Sequence, residues 1–380
     1  MAGKVLFFTK INFGLNANGG LFNKVKAQVK ALEKLEFHVT LVYNSGLDLI
    51  VNRSGSITTY SHTNRFKLLW HQFIQLPNQL PMEPNATLYI RHFMLNPLSL
   101  LGLLKLSKRF KLTLLEIPTF PYSGEYNKSS KGKLLLVIDR ICFGLLSGKI
   151  SRIVTFSKDE TIRGIKTILT DNGVDTDLNR ATSFNSIDTP RPIQLVAMGN
   201  PQTWHGYDRI IAGMIEYQQL QSSHAVVLHV IGEGGIINNL KAQVDNMPGL
   251  HKHILFHGFL KGTTLDQLLD QVNVGISSLG MHRIGAANGE ASPLKTREYV
   301  SRAIPLVLAY QDKAFAPDFP YQLRFPADES IIPIHEIVRW FTELQLKDPD
   351  YKQKLRDYAV NRLSWNAMMK PIVDFISEAP

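Results

Sequence analysis

The sequence predicts an α/β protein of two domains, each a parallel sheet with helices on both faces. Three observations predict it. The chain has 380 residues, too many for one ordinary core and suited to two of roughly 150–200 residues. Short β-prone runs alternate with stretches of helical period in both halves, the pattern of doubly wound sheets. Residues 181–191, rich in Ser, Asn, Asp and Pro, read as a linker and place the domains at 1–183 and 184–363.

Composition sets the outer limits. Hydrophobic residues make up 44% and no tract is of low complexity, so the chain is globular. The longest apolar segments, at 98–106 and 134–138, fall short of the roughly 20 residues of a spanning helix. The opening run Lys4–Thr9 turns polar too soon for a signal peptide. A single cysteine, Cys142, permits no internal disulfide and fits a reducing cytoplasm. The net charge of +10 is uneven: residues 1–180 hold 24 Lys and Arg against 12 Asp and Glu, the remainder 18 against 20. A basic first half attracts phosphates, whether of nucleic acid, anionic lipid or a lipid-linked pyrophosphate. No recognition-helix, finger or RNA-binding pattern accompanies the charge, so a nucleic-acid partner is not expected.

In chain order, 4–9 is a strand and 11–20 a loop containing Gly14, Gly19 and Gly20. A helix follows over 21–35, apolar at 21, 22, 25, 29 and 32, and then a strand over 37–43. Gly19 and Gly20 either face a ligand or form an ordinary tight turn. The G-x-G-x-x-G spacing of a dinucleotide site is missing. The strand at 86–92 ends in Arg91 and His92, at the carboxyl edge of a parallel sheet where ligands collect. A helix at 97–109 and a strand at 111–117 lead into Glu116-Ile-Pro-Thr-Phe-Pro-Tyr122-Ser-Gly-Glu125, a loop stiffened by two prolines. Residues 131–151 form a basic amphipathic helix, suited either to a membrane surface or to a core with a solvated back. A strand at 153–157, a helix at 158–169 and an Asn-Gly turn at 172–173 close the half.

The second half repeats the theme. A strand at 193–198 runs into Gly199-Asn200 and a loop containing His205, before a helix from Ile210. A strand at 226–231 ends in Gly232-Glu-Gly234, the next at 253–256 in His257-Gly258, and one at 274–278 leads through Arg283 to Asn288-Gly-Glu290-Ala-Ser292-Pro-Leu-Lys295-Thr-Arg297-Glu298. A helix starting near Ser292 with Pro293 in its first turn leaves free amides that seat an anion, with Lys295 beside them. Glu290 stays on the entering loop while Glu298 lies about two turns inside. Helices at 334–346 and from 351 follow, and a closing helix over 364–380.

The spacing of Glu290 and Glu298, with the following apolar run broken at Ala303-Ile304-Pro305, resembles the signature of the retaining glycosyltransferases of family 4. These have the GT-B fold, two Rossmann-like domains with a cleft between them, and a closing helix that returns to the first domain. The resemblance implies that Glu290 contacts the donor sugar and Glu298 the ribose of a nucleotide sugar, with UDP the expected nucleotide. It implies that Gly232, Gly234 and Gly258 line the nucleotide. Asn200 and His205 stand where the family places an Arg and a Lys for the pyrophosphate. That shifts neutralisation to Lys295, Arg283 or the Gly-rich loop, and a protonated His205 that served instead would be pH-sensitive.

The segment from Glu116 to Tyr122 resembles a narrower group, some bacterial polysaccharide glycosyltransferases, and implies contact with the acceptor. Glu116 or Glu125 would orient its hydroxyl; the alternative is a structural proline turn with Glu116 in an ion pair. The implied reaction passes a sugar, with retention, to a polyprenyl-pyrophosphate-linked oligosaccharide in capsule or exopolysaccharide assembly. The enzyme would be cytoplasmic, peripheral on the anionic inner face of the membrane. No cofactor and no metal is expected, since Asp175-Thr-Asp177 and Asp348-Pro-Asp350 fall at a linker approach and a helix end. Two other readings stay open: a nucleotide-sugar epimerase, and a non-catalytic partner of another glycosyltransferase.

Overall fold

The structure, a computed structural model, describes residues 3–13, 20–81, 83–118, 120–123, 129–177, 192–220, 224–247, 249–285 and 291–379. The chain divides into two compact units, Met1–Asp171 with Trp365–Pro380, and Asn172–Ser364. The boundary falls at Asp171 rather than near 183, and the expected linker at 181–191 lies outside the described residues.

The first unit is built on strands β1 (Lys4–Asn12), β2 (His38–Ser45), β3 (Asp48–Arg53), β4 (Ser56–Ser61), β5 (Glu83–Arg91), β6 (Phe110–Ile117), β7 (Arg152–Thr155), β8 (Thr161–Ile162) and β9 (Ile165–Leu169). Their order across the sheet is β4-β3-β2-β1-β5-β6-β7-β9-β8. The middle of the sheet is parallel and both edges are antiparallel hairpins. Burial on both faces explains the nearly continuous apolar runs of β1 and β5. Val5 and Phe7 of β1 point into one core, with Tyr89 and Leu114. Leu6 and Phe8 point into the other, with Leu88, Ile90 and Leu115.

Helices α1 (Gly20–Lys34) and α10 (Trp365–Glu378) cover the first face, where Val25, Leu32, Trp365, Met369 and Ile372 join the core. The last helix of the chain therefore belongs to the first unit. Helices α2 (Pro97–Ser107) and α3 (Ser130–Ser147) cover the opposite face through Leu100, Leu103, Phe143 and Leu146. α2 starts cleanly because Asn96 accepts from the Ser99 amide, Ser99 answers the Asn96 amide, and Pro97 fills the first turn.

Two stretches differ from the sequence expectation. The weak signal after Tyr43 conceals β3 and β4, whose turn places Ser54 and Gly55 at φ 46° and 96°, and a helical segment over 65–79. Residues 158–169, expected as a helix, form the hairpin β8–β9. Arg163 and Gly164, at φ 49° and 80°, make its turn, and the β-branched Thr161, Ile162, Ile165, Thr167 and Ile168 prefer the pleated strand.

The second unit holds a six-stranded parallel sheet, β12-β11-β10-β13-β14-β15. Its strands are β10 (Ile193–Met198), β11 (Val226–Ile231), β12 (Ile254–Gly258), β13 (Val274–Ile276), β14 (Leu306–Leu308) and β15 (Gln322–Arg324). Its helices include α4 (Tyr207–Gln219), α5 (Gly235–Asp245), α6 (Gly262–Leu269), α7 (Leu294–Ser301), α8 (Ile334–Lys347) and α9 (Tyr351–Tyr358). On α4, a Cβ added to Gly213 would stand 1.9 Å from the Ile332 carbonyl oxygen. Gly213→Ala must push the helix off the following chain and is expected to cost about 1–3 kcal/mol. Urea unfolding would read this as a lower midpoint at unchanged slope.

The same sheet holds a neutral imidazole pair, His229 buried and His257 half-buried. His229 Nδ1 lies 2.8 Å from His257 Nε2, and His229 Nε2 lies 2.7 Å from Gln194 Oε1. Burial, then His257, lowers the His229 pKa from 6.5 to about 4, and burial lowers that of His257. The unfolded chain takes up protons first as pH falls, so stability is full above about pH 6.5 and declines toward pH 4. Urea midpoints across that window are expected to fall, and His229→Gln to flatten the slope.

Candidate functional site

The carboxyl ends of β10, β11 and β12 converge on glycine. The Gly199 amide donates to the Ile231 carbonyl at 3.0 Å and the Gly232 amide to the Gly258 carbonyl at 2.8 Å, so the three glycines run side by side at the sheet edge. Gly232 has φ 143°, and a Cβ there would lie 2.2 Å from the Gly199 oxygen, so no other residue fits without displacing the strand ends. Gly234 leads into α5, and Glu233 Oε1 accepts from the Phe259 amide at 3.3 Å. Asn200 is exposed beside this edge. A bare backbone rim of this kind lets a ligand approach closely.

Lys295 reaches the same rim from α7. Tyr207, buried at the start of α4, donates its hydroxyl to the Met198 carbonyl at 3.0 Å, at the very end of β10. The Lys295 ammonium lies 3.2 Å from that hydroxyl and 5.3 Å from the ring centroid. Among the described residues no carboxylate pairs with it. Burial lowers its pKa from 10.5 to about 7. A desolvated cation without a counter-ion at a glycine-lined sheet edge is a seat for an anion.

The other expected phosphate partners are engaged elsewhere. Arg283 forks onto Asp208 at 2.9 and 2.7 Å and onto Glu329 at 2.8 and 2.5 Å, and donates to the Thr203 carbonyl at 2.9 Å. The bonds to Glu329 and then Asp208 raise its pKa further. Its charge is therefore neutralised by two carboxylates, and it clamps the loop before α4 instead of facing a ligand. His205 stacks on Tyr207, ring centroids 5.4 Å apart, and its Nδ1 accepts from the Gln202 amide at 2.8 Å. Burial, then Lys295, lowers its pKa to about 3, so it is neutral at physiological pH and supplies no cation.

α7 begins at Leu294, with Pro293 as the residue before the first turn rather than within it. Ser292 is partly buried and its carbonyl accepts from Asn172 Nδ2 at 3.2 Å. Three residues beyond Lys295, hence on a neighbouring side of the helix, Glu298 lies 3.5 Å from Arg302, whose guanidinium also holds Asp266 at 2.6 Å. Burial raises the Glu298 pKa and Arg302 opposes it. With 28% of its side chain exposed, Glu298 keeps acceptor capacity toward a hydroxyl. Glu290 lies outside the described residues.

In the first unit, Glu116 is fully buried and accepts from Tyr89 Oη at 2.7 Å, from Gln28 Nε2 at 2.9 Å and from the Arg91 guanidinium. Burial pushes its pKa up, but Arg91, Lys24 and the hydrogen bonds from Tyr89 and Gln28 outweigh it and hold the carboxyl below its usual range. Both oxygens are thus occupied by the protein. Glu116 is thereby committed to an internal ion pair, the structural alternative to orienting an acceptor hydroxyl, and Arg91 gives Nη1 to that pair.

His92 and Tyr122 form a second cluster. Tyr122 is buried and donates to Asp139 Oδ2 at 2.5 Å, and the His92 ring lies 4.6 Å from the Tyr122 ring. His92 Nε2 is 3.5 Å and Arg163 Nη2 3.7 Å from the same carboxylate. Beside it a pocket of about 560 Å³ is lined by Phe120, Tyr122, Arg140, Phe143 and Arg163. The sequence reading missed Asp139 and Arg163. The available signal is a lone carboxylate, Asp139, within a helix 134–146 whose only other charge is Arg140. Gly20 opens α1, whereas Gly19 and Glu125 lie outside the described residues.

No family model matches the sequence, and a search among curated proteins finds no match. Solved structures match along its length. A glycosyltransferase from Rickettsia africae ESF-5 superposes with a TM-score of 0.63 at 13% identity, over 99% of this chain and 98% of that one. HepE from Anabaena, in complex with UDP, gives 0.59 at 13% identity over 98% and 99%. The catalytic domain of starch synthase IV from Arabidopsis thaliana, bound to ADP and acarbose, gives 0.59 at 11% identity over 100% and 99%. At such identities the likeness defines the fold, and that fold is GT-B, two Rossmann-like domains each with a parallel sheet.

Proposed function

We propose that this chain is a retaining glycosyltransferase that binds a nucleotide diphosphate sugar, with UDP as nucleotide, at the carboxyl edge of the second unit's sheet. The observation that carries the reading is the Lys295 ammonium, without a carboxylate partner among the described residues, at the end of β10 beside the Gly199, Gly232 and Gly258 rim. Transfer needs the departing diphosphate stabilised while positive charge grows at the anomeric carbon. Fixed amides and a desolvated cation supply that stabilisation. Glu298 has an oxygen to offer the ribose hydroxyls, and Glu290 takes the sugar on the strength of the motif they share. HepE with UDP and starch synthase IV with ADP, both of this fold, support a nucleotide donor. The acceptor is a polyprenyl-pyrophosphate-linked oligosaccharide of polysaccharide assembly, in keeping with the basic first half.

A thermal-shift series with UDP, ADP, GDP and their sugars tests the donor site, since a ligand of the folded form raises the melting point. UDP and UDP-sugars are expected to raise it, and UDP release to follow when a lipid-phosphate acceptor is added. Absence of a shift with every nucleotide would exclude the reading. A second reading, a non-catalytic partner of another glycosyltransferase, is favoured by uncharged Asn200, neutral His205 and engaged Arg283. It would show as UDP binding without release in the presence of acceptor. Conversion of a UDP-sugar without any acceptor would point instead to an epimerase.

A further inference from the structure

Helix α3 is apolar on two sides. Its inner side buries Cys142, Phe143 and Leu146 in the core. On the outer side Leu134, Val137, Ile141 and Leu145 are 61%, 55%, 59% and 64% exposed. Their spacing of three and four residues draws one continuous stripe along the helix, where a helix of a soluble surface turns polar. Exposed Lys131, Lys133 and Arg140 flank the stripe, and exposed Lys149 lies just past the helix end. α2 packs on the same face of the sheet and touches α3. There Leu101 is 60% exposed, and exposed Lys105 and Lys108 follow it on the same side at intervals of four and three residues. The segments 97–111 and 130–149 together carry eight basic side chains and one carboxylate, Asp139, which is buried.

We propose that this outer face docks on an anionic lipid bilayer, with α3 lying in the plane of the interface, its stripe among the upper acyl chains and its lysines and arginine at the phosphates. No described helix is long and apolar enough to cross a membrane, so the contact is peripheral. Charge selects the occupant. Were the same face to meet a second copy of itself, basic side chains would oppose basic side chains with no exposed acid in either segment to balance them. Anionic phosphates supply the missing sign, and acyl chains the missing apolar partner.

The test uses the full chain and no sugar donor, so its result stands apart from the transferase reading. The protein is sedimented with vesicles of phosphatidylcholine alone and with vesicles of phosphatidylcholine and phosphatidylglycerol. Binding to the mixed vesicles alone, weakened by salt, is the expected result. Leu134→Ser/Ile141→Ser/Leu145→Ser, altering only exposed side chains, is expected to keep the native melting point and to lose binding by more than about tenfold. Lys131→Glu and Lys133→Glu should each weaken it about fivefold or more. Failure to bind the mixed vesicles at low salt would overturn the proposal, as would serine-variant binding equal to that of the native chain. So would a dimer in analytical ultracentrifugation that the serine variant dissolves.

Discussion

Lys295→Met is expected to weaken UDP-glucose binding by about tenfold to a hundredfold, the worth of roughly 1.5–3 kcal/mol for a hydrogen bond to a charged group. A pH series separates this role from a structural one. In the free protein burial holds the Lys295 pKa at about 7. A diphosphate against the ammonium favours its charged form, so binding takes up a proton above that pH. Affinity should be level below pH 7 and decline as pH rises beyond it, and the decline should vanish in the variant. UDP-glucose suits the experiment because its diphosphate, esterified at both ends, does not titrate there. The same shift carries the opposite sign for folding. A lysine depressed from 10.5 to about 7 lowers stability as pH falls across that interval, because the unfolded chain binds the proton first. The variant should therefore match or exceed the native chain in melting point near pH 7. A dissociation constant and pH profile left unchanged by the substitution would move the phosphate site away from α7.

What the sequence disclosed follows from which forces are local. The alternation of β-prone runs and helical period, the glycines ending β10, β11 and β12, and the helix carrying Lys295 and Glu298 are each written within a dozen residues. Partnership across the fold is not. Arg283 resembles a phosphate ligand until Asp208 and Glu329, 75 and 46 positions away, are seen to hold it. Glu116 resembles a catalytic carboxylate until Gln28, 88 positions earlier, is found on its oxygen. His205 gives no hint in sequence that burial, with Lys295 nearby, keeps it neutral. The hairpin β3–β4 escaped because β4 is almost wholly exposed and lacks apolar alternation. Residues 158–169 misled because a two-residue turn at Arg163-Gly164 divides a run whose β-branched residues fit either period over so short a span.

Asp312→Ala is expected to destabilise the second unit by about 3–5 kcal/mol, the cost of leaving one member of a buried ion pair alone. Arg297 and Asp312 are both fully buried, and Arg297 Nη1 stands 2.7 and 2.6 Å from the two carboxylate oxygens. Asp312 also accepts from Thr296 Oγ1 at 2.8 Å and the Ala314 amide at 3.0 Å. These bonds tie α7 to the chain beyond β14, and α7 is what presents Lys295 to the sheet edge. Loss of the carboxylate should thus register twice, as faster amide exchange along α7 and as weaker nucleotide binding by a protein that still folds. Arg297→Met/Asp312→Leu removes both charges, and it should recover much of the stability while leaving α7 without its polar tether. If the double variant regains stability but not affinity, the pair sets the orientation of Lys295; if it regains both, packing alone suffices to hold the helix in place.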